Sequence, residues 1–441
     1  MTTALEAPQP IRVVLVDLAD LPADLERDPG EHLWVVGCRD GRPLALVEVD
    51  RGPGAPDLAA QLAGIAAANP GGDDGWRAVP DAELPAITVV LPSVVRRLGD
   101  LETCLASLDA QDYPHFDVVV ADNRPEVPAD DPLVALLASR PRFRSVRAER
   151  PGVGAARQTG VLAATGEVVA MVDDDVRTDP GWLRAFGARF ARDPGLVACT
   201  GLILPAELET PAQIYFERYY GGFAGERLFA PLTLSTGRGP LGRAQLVARD
   251  DQGHEVRRSP LYGVGAYGAG ANMAFRRQAL LDVGGFDPAL GTGTPAQGGE
   301  DLQILIDLLW AGGRVRYEPA AFVHHRHRRG YDELVRQLRM GGTGLTATLT
   351  ALVVRDPRHL LGLGLQVPVA ARRLAGQTLA RVRGRRVDAP EPTAPQPPSF
   401  PRELVQQELL GMPGGPLAYL RSRRGVRRWT RDHPQHPTSS S

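Results

Sequence analysis

Apolar positions along this chain follow two periods, and the change from one to the other divides it. Near the start, Ile11-Arg12-Val13-Val14-Leu15-Val16 and LWVVGCRDGRPLALVEV (33–49) are rich in β-branched and aliphatic residues, and Arg39-Asp40-Gly41 interrupts the second run. Two β-prone runs flanking Asp-Gly predict a hairpin. An Ala-rich stretch from Asp57 to Asn69 predicts a helix, and GlyGlyAspAspGly at 71–75 a linker. From about residue 83 strands and helices alternate: AITVVLP as a strand, DLETCLASLDAQ as an amphipathic helix, FDVVVADN as a second strand. A helix from about Gly154 to Ala164 and a strand Glu167–Val172 continue the series. Such alternation is the signature of an α/β domain with a parallel sheet flanked by helices. Beyond about residue 335 the pattern is helical and apolar, then proline-rich through APEPTAPQPPSFP, then basic. The expected units are therefore a small β-rich unit at 1–82, an α/β domain at 83–335, and a helical extension at 336–441 whose tether spans 383–402.

Composition narrows the possibilities. With 43% hydrophobic and 23% charged residues, the 441-residue chain is globular and long enough for two or three units. A formal net charge of −2 gives no whole-chain case for nucleic-acid binding, so no nucleic-acid partner is expected. The three cysteines, Cys38, Cys104 and Cys199, are far apart and suggest neither a disulfide framework nor a zinc site. MTTALEAPQPIRVV lacks the basic start and apolar core of a secretory signal, so a cytoplasmic location is expected. The apolar stretches Met340–Val354 and Leu360–Ala371 fall short of the ~20 residues a spanning helix needs.

Two carboxylate groupings stand where α/β sheets bind ligands, beyond the C-terminal ends of strands. Asp173, Asp174 and Asp175 follow directly on a strand, and Asp122 ends another. Three adjacent carboxylates repel one another unless solvent or a cation intervenes, so the triplet reads either as a solvated acidic loop or as a hard-oxygen site for Mg²⁺ or Mn²⁺. The glycine-rich loop GTGTPAQGG then delivers Glu300 and Asp301 into the first turn of an amphipathic helix. Acidic residues there favour the helix dipole on their own account, whereas Gly298 and Gly299 would let the backbone pass close to a substrate. His324, His325 and His327 form a basic run that is either a surface strand or a source of a metal ligand.

Taken in order, these segments resemble family 2 glycosyltransferases of the GT-A fold. Residues 86–123 match the family's opening, with a strand ending in Pro-Ser, a helix, a Gln-x-Tyr-Pro turn and a strand ending in Asp; 151–183 match its glycine-arginine helix and DXD motif; 268–301 match its acceptor-side segment and ED motif. The resemblance covers roughly residues 86–345 and implies a nucleotide-diphospho-sugar transferase fold, a mixed, mostly parallel sheet between helices. It implies a nucleotide-sugar donor, an acceptor hydroxyl of unknown identity, and Mn²⁺ or Mg²⁺. Residue by residue, it implies that Pro92, Ser93 and Asp122 line the nucleotide pocket with Arg157, Asp173 and Asp174 nearby. It further implies that Asp175, with Asp173 and His325, holds the metal, and that Asp301, beside Glu300, is the catalytic base. His325 is favoured by its place 24 residues beyond Asp301. Val94-Val95 stand where the family often has Tyr-Asn, so no aromatic stacking on the base is implied.

Two other readings remain: a non-catalytic nucleotide-sugar-binding or scaffolding protein of the same fold, and a sugar nucleotidyltransferase. The second needs a glycine-rich phosphate loop after the first strand, where this chain has PSVVRR. At the C-terminus, Arg421, Arg423, Arg424, Arg427 and Arg428 around Trp429 read either as a solvated basic tail or as a peripheral contact with the inner face of a membrane.

Overall fold

The structure is a computed structural model that describes residues 8–20, 32–50, 58–68, 75–223, 227–239, 242–364 and 401–434. Strand β1 (Ile11–Asp17) lies parallel to β2 (His32–Arg39), which turns back into β3 (Arg42–Asp50). Asp40 and Gly41 form the turn with φ of 52° and 73°, the left-handed pair that a two-residue hairpin requires. Helix α1 (Leu58–Ala68) follows as predicted, and linker residues 71–74 lie outside the described ones.

The main sheet comprises β4 (Ile87–Ser93), β5 (Phe116–Asp122), β6 (Phe143–Arg147), β7 (Val168–Met171), β8 (Val176–Thr178), β9 (Leu196–Pro205), β10 (Leu232–Gly239), β11 (Gly242–Arg249), β12 (Glu255–Pro260), β13 (Met273–Arg276) and β14 (Arg314–His325). Its order is β12-β11-β10-β14-β9-β13-β7-β4-β5-β6, and β8 pairs with the end of β14. Strands β6, β5, β4 and β7 are parallel, β13 enters antiparallel between β7 and β9, and β9 and β14 are again parallel. An antiparallel meander, β10 to β12, extends the far edge. This is the mixed sheet between helices that the GT-A resemblance implies.

The unbroken apolar runs of β4 and β7 follow from burial on both faces. Ile87, Val89, Leu91, Val168 and Ala170 pack towards helices α2 (Leu98–Asp109) and α5 (Trp182–Arg192). Val90, Val169 and Met171 pack the other way, with Val161 of α4 (Val153–Ala163) and with α8 (Glu300–Trp310). Helices α3 (Pro132–Leu137), α6 (Pro211–Tyr215) and α7 (Arg277–Asp282) are shorter connections. All three cysteines are buried free thiols.

Both flanking units dock on the main sheet. Val36 and Cys38 pack with Leu202, Leu204 and Phe322, and Ile11 and Trp34 with Leu208 and Ile214. The N-terminal sheet therefore braces the ends of β9 and β14. Helix α9 (Tyr331–Arg355) crosses the expected 335/336 division without a break, and it carries α10 (Arg402–Gly411) and α11 (Gly415–Asp432). The apolar stretch from residue 340 is thus part of a core-facing helix in which Ala347, Ala351 and Leu352 are buried. Residues 383–400 of the proline-rich tether lie outside the described ones. Among the described residues no helix is long and apolar enough to cross a membrane.

Candidate active site

Parallel register brings the first three candidate residues together. Ser93 stands opposite Asp122, and Pro92 opposite Ala121, at the C-terminal ends of β4 and β5. Asp122 accepts hydrogen bonds from Arg124 Nε and NH2 at 2.9 and 2.8 Å, while Arg147 NH1 lies 3.4 Å away. Burial works against the ionised carboxyl, but the hydrogen bonds and charge of Arg124 hold it below its ordinary pKa. Arg124 also reaches Asp131 at 2.7 and 2.8 Å. The loop after β4 is strained: Val95, a β-branched residue, has φ of 48°, and its N–H donates to Ser93 Oγ at 2.9 Å.

The aspartate triplet divides its work among three partners. Asp173 accepts from Arg157 NH2 at 2.7 Å, Asp174 accepts from Ser93 Oγ at 2.5 Å, and Asp175 Oδ1 lies 3.3 Å from His325 Nε2. Asp173, expected to share the metal, thus has one carboxylate oxygen paired with a cation from within the protein. Burial, partly offset by Ser93 and reinforced by Asp175 and Asp173, pushes the Asp174 carboxyl up to about 6. Arg97 NH1 approaches Asp175 Oδ2 at 3.5 Å.

His325 reaches Asp175 through strand register. The end of β14 runs antiparallel to β8, with His325 opposite Val176, and Arg326 N donates to the Asp175 carbonyl at 3.0 Å. His324 is opposite Arg177 and, on an alternating strand, points to the other face; burial lowers its pKa to about 4. His327 is pledged elsewhere, to the Glu217 carboxylate, which also pairs with Arg227.

Asp175 and His325 fit a divalent ion such as Mn²⁺, offering one hard oxygen and one imidazole nitrogen side by side. His325 Nδ1 is buried without a hydrogen-bond partner. Among the described residues no three His, Cys, Asp or Glu side chains are arranged as a complete cage, so the remaining positions would fall to water or to ligand phosphates, as is usual for such ions at phosphate sites.

At the start of α8, Gly299 caps the helix in the left-handed conformation with φ of 89°. The closeness that Gly298 and Gly299 permit is to helix α9: Gly298 lies against Gly344, and a Cβ on Gly299 would overlap Thr348 Oγ1. Packing against α9 and the left-handed φ together account for Gly299. Asp301 Oδ2 accepts from Gly270 N at 2.9 Å, and Oδ1 from Leu302 N at 2.8 Å. Glu300 is only 5% exposed and pairs with Arg157. That pairing links the start of α8 to Arg157. Burial pushes Glu300 up to about 7 against the pull of Arg157.

Arg157 is the junction of the site. It is buried, and it joins Asp173 at the end of β7 to Glu300 at the start of α8. Burial alone would lower its pKa, but Asp173, Glu300 and Asp301 together raise it above its ordinary value. The DXD and ED segments therefore share one neighbourhood. Residue pattern alone did not reveal Arg97, Arg124, Arg147 or the Glu217–Arg227 pair, because single arginines and glutamates carry no periodic signal. Nor did it reveal Tyr419, whose OH donates to Asp287 Oδ2 at 3.0 Å and ties α11 to the loop between α7 and α8.

Acidic strand ends thus face an acidic helix start across a buried arginine, at one end of the sheet of an α/β domain. Residues 88–231 match the model of Glycosyl transferase family 2. It is 27% identical over 243 residues to the pre-mycofactocin glycosyltransferase of Mycobacterium tuberculosis, covering 54% of this chain and 44% of that protein. It is 27% identical over 201 residues to the glucosyl-dolichyl phosphate glucuronosyltransferase of Haloferax volcanii, covering 42% and 52%. The chain thus spans about half the length of these relatives. Among solved structures it is similar to the mannosyltransferase PcManGT from Pyrobaculum calidifontis in complex with GDP-Man and Mn²⁺, with a TM-score of 0.43, 18% identity, and coverage of 80% of this chain and 92% of that one.

Proposed function

We propose that this chain is an inverting, metal-dependent glycosyltransferase that moves a sugar from a nucleotide-diphospho-sugar to an acceptor hydroxyl. The observation that carries the reading is the Asp173–Arg157–Glu300 bridge, which holds the donor-side carboxylates and Asp301 in one neighbourhood. Both relatives named above are glycosyltransferases, which supports it.

Mn²⁺ or Mg²⁺, held by Asp175 with His325, would supply the positive charge that offsets a departing nucleoside diphosphate. Ser93 and Asp122, side by side at the strand ends, border the nucleotide pocket, and Arg124 fixes the Asp122 carboxylate within it. Asp301 takes the proton of the acceptor hydroxyl as that oxygen attacks the anomeric carbon. The N–H groups of Gly270 and Leu302 fix the plane of its carboxylate. One base and one displacement invert the anomeric centre.

Transfer from a panel of UDP-, GDP- and dTDP-sugars with Mn²⁺, assayed for wild type and Asp301→Asn, tests this. A general base contributes ~10²- to 10⁴-fold, so the variant should lose that much turnover while still binding donor. Equal inertness of both chains across the panel would favour the non-catalytic binding protein instead.

A further inference from the structure

Helix α11 has two unlike faces. Gly415, Tyr419 and Ser422 are buried along one, where Tyr419 packs with Leu290, Ala347 and Ala351. On the opposite face Arg421, Arg424, Arg427, Arg428 and Arg431 are all exposed. Their spacing of three and four residues places them in one stripe along the helix. Leu417 and Leu420 begin the same stripe and are 51% and 39% exposed. Among the described residues only one arginine of the stripe has a carboxylate partner, Arg428 with Asp432 at 4.0 Å.

From these observations we propose that the outer face of α11 docks on an anionic lipid bilayer. Exposed arginines aligned along one helix face match a plane of negative headgroups. The two leucines supply an apolar edge that enters the boundary of the acyl chains. A single-stranded nucleic acid fits less well, because its bases need aromatic platforms. The one aromatic residue of the cluster, Trp429, is turned to Arg150 at 5.4 Å and stacks on His433 at 4.4 Å. The bilayer contact leaves the inner face free to hold the loop between α7 and α8 through Tyr419.

The test uses the full chain without donor or metal, so its outcome is independent of glycosyl transfer. Sedimentation is measured with phosphatidylcholine–phosphatidylserine vesicles and with phosphatidylcholine vesicles. Binding is expected only to the first, weakening as salt rises. At about one surface increment per arginine, the variant Arg424→Gln/Arg427→Gln/Arg431→Gln should bind about a hundredfold more weakly. The matching triple lysine variant should bind like wild type, and Leu417→Gln/Leu420→Gln should be released at lower salt. Unchanged melting curves would establish that the variants fold. Absence of vesicle binding, equal binding to both vesicles, an unaffected triple glutamine variant, or retention on single-stranded RNA without retention on vesicles would overturn the proposal.

Discussion

A buried arginine facing three carboxylates fixes the electrostatics of the site. Arg157 remains charged because Asp173, Glu300 and Asp301 surround it. Glu300, fully enclosed, has its carboxyl pushed from an ordinary 4.5 up to about 7. Between those values the folded chain keeps a proton that the unfolded chain has released, so this group makes stability fall as pH rises through the window and level off above it. Melting curves of the metal-free chain from about pH 5 to about pH 8 should show that fall, and Glu300→Gln should remove its share of it. An identical slope in the variant would mean that Glu300 is already ionised. The resemblance located Arg157 and Glu300 separately, but nothing in the residue order could pair side chains 143 positions apart. Nor could it show that Arg157 meets Asp173: a motif gives the order of its carboxylates, not which of them pairs with an interior cation.

At the scale of elements, the site depends on register and on close packing between helices. His325 meets Asp175 because β8 pairs with the end of β14 in one particular alignment; a shift of one residue would present His324 instead. Gly299 matters in a different way, since it combines a left-handed φ with contact to Thr348. Gly299→Ala adds ~1–2 kcal/mol of backbone strain and ~1–3 kcal/mol of overpacking, so urea unfolding should show a loss of about 2–5 kcal/mol. A loss below ~1 kcal/mol would show that α8 and α9 can separate at no cost, because their packing term would then be absent. The parallel strands and their helices were legible because burial on both faces writes unbroken apolar runs. The meander at 232–260 was not: its strand β12, with the burial pattern of an exposed edge, has no such run to read.

At the scale of the whole molecule, elements from both ends of the chain pack on the central sheet and its loops. The N-terminal sheet braces the ends of β9 and β14, and α11 grips the loop between α7 and α8. The C-terminal extension was legible as helical, but its docking depended on Tyr419 and small residues such as Ala347, which look unremarkable in sequence. Tyr419→Phe removes one hydrogen bond to a carboxylate, ~1.5–3 kcal/mol. It should raise KM for the acceptor while leaving donor affinity unchanged; a change in donor affinity would place α11 on the other side of the site. We propose that Asp175 and His325 bind a cation that the nucleotide diphosphate shares. Calorimetric titration of UDP-, GDP- and dTDP-sugars, with and without Mn²⁺, into wild type and Asp175→Asn tests it most directly. At least one donor should bind wild type only when Mn²⁺ is present, and Asp175→Asn should lose that Mn²⁺-dependent binding; equal donor binding by both chains, with or without the metal, would contradict the account.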